Sequence, residues 1–251
     1  MKQGRTYSLA STVLFIAILI FGDKLFSPLT GEPKPSENGI PEKIYISPYI
    51  TISNFDKYFR ESGRILDYDW KLIAAIAHTE SRFDSTARSG AGACGIMQVM
   101  PRTLRQHGVP DSLHMDPRSN IMAATSLIKD LDRIFRRITD KEERTNFVLA
   151  SYNAGIGEIS DAMRLAEKYG RNRYKWENNV DTFLILKSRP EYYNDSLCKN
   201  GDFKDWKQTL SFVKKVKRTW QRYDQLQQKY NDSIFDILQN DSTVEILKDK
   251  Y

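Results

Sequence analysis

Residues 70–101, WKLIAAIAHTESRFDSTARSGAGACGIMQVMP, set a single carboxylate at the end of an apolar helix and hand it to a glycine-rich loop. Leu72, Ile73, Ile76 and Ala77 recur at helical spacing and form a stripe that needs burial. Glu80 falls four residues after Ile76, on that stripe rather than on the wet face. Asp67 or Asp69 can cap the helix start. The run Ser89, Gly90, Gly92, Gly95 after Phe83 cannot continue the helix, so Glu80 belongs to the last turn. There the negative end of the helix dipole and partial burial both favour the protonated acid. A carboxyl that stays neutral near pH 7 is what a general acid must be. The competing reading is a solvated residue, or an ion-pair partner of Arg82 or Arg88. The loop argues against it: Ser89 to Met100, with three glycines, Gln98, Met97 and Met100, is too polar for a core strand and too apolar for an ordinary surface loop. It reads as the wall of a groove.

Outward from this stretch, the chain is mainly helical. Phe55, Tyr58 and Phe59 mark a helix from about Ser53, with Gly63 read as its stop. Pro101 opens a short helical turn, and DPRSN at 116–120 starts a helix whose Ile121, Ala124, Ile128, Leu131 and Phe135 recur at three and four. A further helix runs from Lys141 to Tyr152, ended by Gly155 and Gly157. Leu210, Val213, Val216, Trp220, Tyr223, Leu226 and Tyr230 predict a long amphipathic helix near the C-terminus. Lys214, Lys215, Lys217, Arg218 and Arg222 lie on its other face. Because the aromatics share the apolar register, that face reads as solvated, and nucleic acid is not an expected partner. No stretch alternates with period two, so a β fold is excluded.

Ahead of this body, Lys2 and Arg5 precede the apolar run Leu9 to Gly22. At about 14 residues it is short of the roughly 20 that span a bilayer, which suits a signal peptide. No clear A-x-A site follows, which suits an uncleaved membrane anchor, and the anchor is the expectation. The division expected is 1–26 signal or anchor, 27–49 Pro-rich tether, 50–230 catalytic domain and 231–251 tail, the tether holding five of the nine prolines. With 40% hydrophobic and 28% charged residues the body is neither a membrane bundle nor disordered, and a formal net charge of +6 suits an anionic polymer as partner. Cys94 and Cys198 are too far apart for a C-x-x-C site. They are either two buried small residues or, in an exported protein, a disulfide from the loop to the segment after Pro190.

The motif HTESRFDSTARSGAGACGIMQVMP, with ASYNAGIGEI at 150–159 as a second element, resembles the soluble-lytic-transglycosylase (SLT) domain family, whose pattern runs E-S-x-F, then G-A-x-G-[LI]-M-Q-[IV]-M-P, then A-x-Y-N-A-G-x-G. ISPYI at 46–50 and RPEYYNDSLCKNGDF at 189–203 resemble the catalytic half of its membrane-bound, F-type members. The resemblance spans roughly residues 46–225 and implies a lysozyme-like fold. F-type members place a solute-binding-like domain before the catalytic half; the residues ahead of 50 are too few for one, so regulation by it is not carried over.

The resemblance also supplies a chemistry. An ordinary glycosidase needs two carboxylates, and here Asp84 reads as a turn residue, leaving Glu80 alone. Lytic transglycosylases need only one. Glu80 would protonate the glycosidic oxygen between N-acetylmuramic acid and N-acetylglucosamine, then accept the proton of the muramic 6-hydroxyl as it closes a 1,6-anhydro ring. No metal or cofactor is implied. Tyr152 would assist the acid; Ser89, Gln98, Met100 and Asn153 would contact the glycan, with Tyr193 as a further groove residue. The family's E-T-R-x-Y-V element has only QTLSFV at 208–213, with Gln208 and Phe212 in place of its acid and tyrosine, so a contact by that acid is not carried over. Expected partners are peptidoglycan strands, a membrane through the N-terminal segment, and proteins of an envelope machine, with the enzyme placed in the periplasm. The alternatives are a hydrolytic muramidase and a non-catalytic peptidoglycan-binding scaffold.

Overall fold

The computed structural model describes residues 44–240 and 244–247. The expected anchor and most of the expected tether lie outside these residues. Among the described residues no helix is long and apolar enough to cross a membrane.

The described chain is mainly α. A short strand β1 (Ile44–Ile46) leads to α1 (Asp56–Leu66) and α2 (Trp70–Ser81). After the glycine-rich loop come α3 (Pro101–Gln106), α4 (Pro117–Ile134) and α5 (Lys141–Ala154). Then follow α6 (Ile156–Lys168), α7 (Asp181–Leu186), α8 (Pro190–Tyr193) and the long α9 (Trp206–Asn240), with β2 (Val244–Ile246) last. The α9 helix packs across α2 and α5, while α1 lies against α2 and α4. Phe59, Ile73, Ile76, Ile96, Met97 and Phe147 are fully buried in the shared core.

Caps fix where helices begin. The Asp69 carboxylate accepts from the Lys71 N–H at 2.9 Å, so Asp69 rather than Asp67 starts α2. Asp116 caps α4 and Asp140 caps α5 in the same way.

Three expectations need correction. Gly63 does not stop α1, which continues to Leu66; a Cβ there would come within 2.7 Å of the Tyr68 carbonyl oxygen, so the glycine lets α1 and the start of α2 meet. Gly155 ends α5 with a positive φ of 92°, but Gly157 lies inside α6, which starts at once. The expected tether and tail also contain ordered structure. The C-terminal helix runs on to Asn240, ten residues past the boundary at 230, and β1 pairs in parallel with β2, Ile44 opposite Val244. The Tyr230 hydroxyl bonds the Ser47 carbonyl and the Gln227 amide bonds the Pro48 carbonyl, which holds 44–50 against α9.

Candidate active site

Glu80 lies in the last turn of α2, where Arg82 adopts a left-handed conformation and its N–H bonds the His78 carbonyl, ending the helix. The carboxyl is half-buried, and among the described residues it forms neither a hydrogen bond nor an ion pair. The bases Arg82 and Arg88 are not its partners. Burial without compensation pushes its pKa from the ordinary 4.5 up to about 8. Glu80 is therefore protonated at neutral pH.

The loop that follows is braced from four sides. The Ser81 hydroxyl, next to Glu80, donates to the Ile96 carbonyl at 2.7 Å. Cys94 and Val99 exchange both backbone hydrogen bonds at 3.1 Å. Asn120, fully buried on α4, accepts from the Met97 N–H at 2.9 Å and donates to the carbonyls of Cys94 and His114. Gly95 lies directly on that side chain: a Cβ would come within 2.5 Å of the Asn120 amide nitrogen. From α5, the Tyr152 phenol donates to the Met97 carbonyl at 2.7 Å.

Tyr152 senses Glu80. Burial first, and the nearby Glu80 carboxylate second, hold its phenol far above the ordinary value of 10, so it remains a proton-bearing donor. Its ring lies parallel to Phe212 of α9, centroids 6.3 Å apart; this is the position where the family pattern has its tyrosine.

The remaining expected residues divide. Gln98 holds a strained left-handed backbone (φ 48°), and its side-chain amide donates to the carbonyls of Ala87 and Gly95. It braces the loop, and its amide oxygen is left to accept from elsewhere. Ser89 is exposed, and its hydroxyl oxygen accepts from the Ala93 N–H at 2.9 Å. Met100, at the start of α3, is 45% exposed, unusual for so apolar a side chain. Asn153 accepts from the Thr209 hydroxyl at 2.9 Å, tying the second motif to α9. Tyr193 sits on α8, and among the described residues no hydrogen bond joins it to Glu80 or the loop. Asp84 is an exposed turn residue whose carboxylate accepts from Thr86. The two cysteines are free thiols: Cys94 is directed at the Val99 carbonyl and Cys198 at the Tyr192 carbonyl, so the disulfide alternative is not the one observed.

Ser81 and Asn120 escaped the sequence reading as functional positions. Asn120 carried a signal, because it lies four residues before Ala124 on the apolar stripe of α4, where a polar residue needs a buried partner. Ser81 carried only its place beside Glu80.

Known proteins resemble this arrangement. Residues 57–175 match the family model described as the transglycosylase SLT domain. The membrane-bound lytic murein transglycosylase F of Desulfosudis oleivorans is 30% identical over 188 residues, 75% of this chain and 39% of that protein. Its counterpart in Cellvibrio japonicus is 36% identical over 152 residues, 60% of this chain and 29% of the relative. The chain thus spans well under half the length of these relatives. Among solved structures, the 70 kDa soluble lytic transglycosylase of Escherichia coli is 21% identical with a TM-score of 0.49, covering 68% of this chain and 24% of that one. Glu80, Tyr152 and the loop they flank all fall inside the matched stretch, and the chain carries a domain of the transglycosylase SLT family.

Proposed function

We propose that the protein is a peptidoglycan lytic transglycosylase that cleaves the β-1,4 bond between N-acetylmuramic acid and N-acetylglucosamine without water. The observation that carries this reading is Glu80: an acid half-buried at a helix end, with no partner among the described residues and a pKa of about 8. Such a group donates a proton at neutral pH, and its conjugate base accepts one as readily.

The reaction balances on that residue alone. The Glu80 proton moves to the glycosidic oxygen as the bond to the muramic anomeric carbon breaks. The 6-hydroxyl oxygen of the same sugar then bonds that carbon, and its proton returns to Glu80. Tyr152, anchored on Met97, keeps its dipole near the carboxylate. Ser89, Gln98 and Met100, on the loop, supply hydrogen-bonding and soft apolar contacts to the glycan, and Asn153 supports Tyr152 from the next position. Tyr193 extends the glycan contact. The site needs no metal or cofactor. The enzyme works on peptidoglycan strands in the periplasm, held at the membrane through residues 1–26 and recruited by proteins of an envelope machine; the names of the F-type relatives support the membrane placement.

Mass spectrometry of the products released from purified sacculi tests the reading. Anhydro-muropeptides are expected. Reducing-end products heavier by one water would make the enzyme a hydrolytic muramidase, and binding without release would make it a scaffold.

A further inference from the structure

At the other end of α2 from Glu80 lies a second concave surface. A cleft of about 1600 Å³ is walled by α1, the start of α2 and the β1–β2 pair. Trp70 opens α2 and Glu80 is ten residues further on, so about 15 Å of helix separates the cleft from the acid. Tyr45, Tyr49, Tyr58, Tyr68 and Trp70 give it an aromatic lining.

The charges in the cleft are unevenly satisfied. Three of its four acids are engaged. Glu61 is bound by Arg118 through two hydrogen bonds, and Asp69 holds Lys71 at 3.2 Å and the Trp220 indole N–H at 2.9 Å, whereas the Asp67 carboxylate is fully exposed, 3.9 Å from the Lys129 ammonium. Arg118, Lys129 and Lys71 all come from outside the lining, and Glu245 is engaged as well. The bases of the lining are a different case. Lys57, Arg60 and Arg64 lie at i, i+3 and i+7 on α1 and so share a face. Lys57 and Arg64 are exposed and form no ion pair among the described residues, and Arg60 reaches only Asp56, at 4.0 Å. The Arg60 guanidinium is also held in place, 5.1 Å from the Tyr49 ring centre and 5.6 Å from that of Trp70, which meet edge-on. An arginine fixed by two rings loses little freedom when it binds an anion.

We propose that this cleft binds the acidic stem peptide of peptidoglycan, with Arg60, Lys57 and Arg64 taking its carboxylates and the aromatic wall taking its aliphatic side chains. A stem peptide combines short apolar side chains with several carboxylates, which is the complement of this lining. The identity of the ligand rests on the peptidoglycan reading above. The site would hold the wall by a peptide while Glu80 acts on a glycan strand, adding a second point of attachment.

Calorimetric titration of the full chain at low salt tests the cleft. The probes are a synthetic stem peptide with free carboxyls and the same peptide with every carboxyl amidated. Saturable binding of the free acid is expected, weaker by about tenfold or more for the amidated form and for Arg60→Ala/Arg64→Ala. Arg64→Glu, at an exposed position that cannot disturb the core, should weaken it as well. The Glu80→Gln variant should bind the peptide as the parent does. No binding, equal binding of the two peptides, or unchanged binding by the arginine variants overturns the proposal. So does loss of binding in Glu80→Gln, which would put the peptide in the catalytic groove. Failure of the transglycosylase reading appears elsewhere, in the products from sacculi, so the two outcomes separate.

Discussion

Two acids in this protein, one fully and one half-buried, are treated in opposite ways. Asp161 of α6 is fully buried and fully served: the Lys187 ammonium lies 2.8 Å away, itself completely enclosed. Arg164, the Asn200 amide and the backbone N–H groups of Lys199 and Asn200 complete its shell. Burial pushes its pKa up, but Lys187, Asn200 and the N–H donors outweigh that and bring it down to about 2. Glu80, at the other acid, is left without a donor, and its pKa goes the other way, to about 8. Where stability is wanted, the chain surrounds a carboxylate with donors. Where a transferable proton is wanted, it withholds them.

The largest expected effect falls on Glu80. Glu80→Gln should lower product release by about a thousandfold or more, in the range that general acid catalysis supplies. The same change should stabilise the fold. In the unfolded chain Glu80 ionises above 4.5, whereas in the folded protein it keeps its proton up to about 8, so the parent loses stability across that window. Denaturation at pH 5 and at pH 8 should show the variant's advantage growing, by on the order of a few kcal/mol, as the pH rises. An advantage that does not change with pH would sink the comparison.

The opposite prediction holds for the paired acid. Lys187→Met should destabilise by about 3–5 kcal/mol, because Asp161 would be left charged, buried and without its main partner. Adding Asp161→Asn to it should recover part of the loss. If the single and double variants melt together, the pair is not what holds α6 to the segment at 197–200.

A sharper test concerns the brace. Asn120→Ala removes three hydrogen bonds to buried groups around the loop, and a loss of about 1–3 kcal/mol is expected, with kcat reduced more than KM is raised. Rate left intact at that stability loss would make Asn120 a packing residue only. The smallest effect is on stability from Tyr152→Phe, about 1 kcal/mol for one hydrogen bond to Met97, although the rate should fall with it. Finally, activity should decline as pH rises through about 8, where Glu80 loses its proton; a decline centred near the ordinary 4.5 would contradict the burial of the acid.

Much of this was legible in the residues. The apolar stripe of α2 announced the placement of Glu80, because an acid on a buried face has few ways to be neutral. An aspartate at 67 or 69 announced the start of α2, and DPRSN at 116–120 announced that of α4. What could not be read depended on contacts distant in sequence. Gly63 looks like a stop in isolation, and only the approach of Tyr68 and Trp70 explains it. The α6 helix follows α5 with no turn residues between them beyond Gly155, and the two glycines flanking Ile156 hid it. Asn120 and Gly95 are 25 residues apart, and neither suggests the other until both are in place. The resemblance extended further than the local signals did, since it linked Glu80 to Tyr152 across 72 residues.

The pairing of β1 with β2 joins residues two hundred positions apart, three on each strand. A contact that closes so long a stretch of chain is entropically dear and short, so it belongs among the last to assemble and the first to open. One side of the aromatic cleft is built on it, through Tyr45, Ile246 and Leu247. The half of the molecule around Glu80, locked by Asn120 and the α9 crossing, thus stays intact while that remote wall opens, and hydrogen exchange should register the two as separate cooperative units.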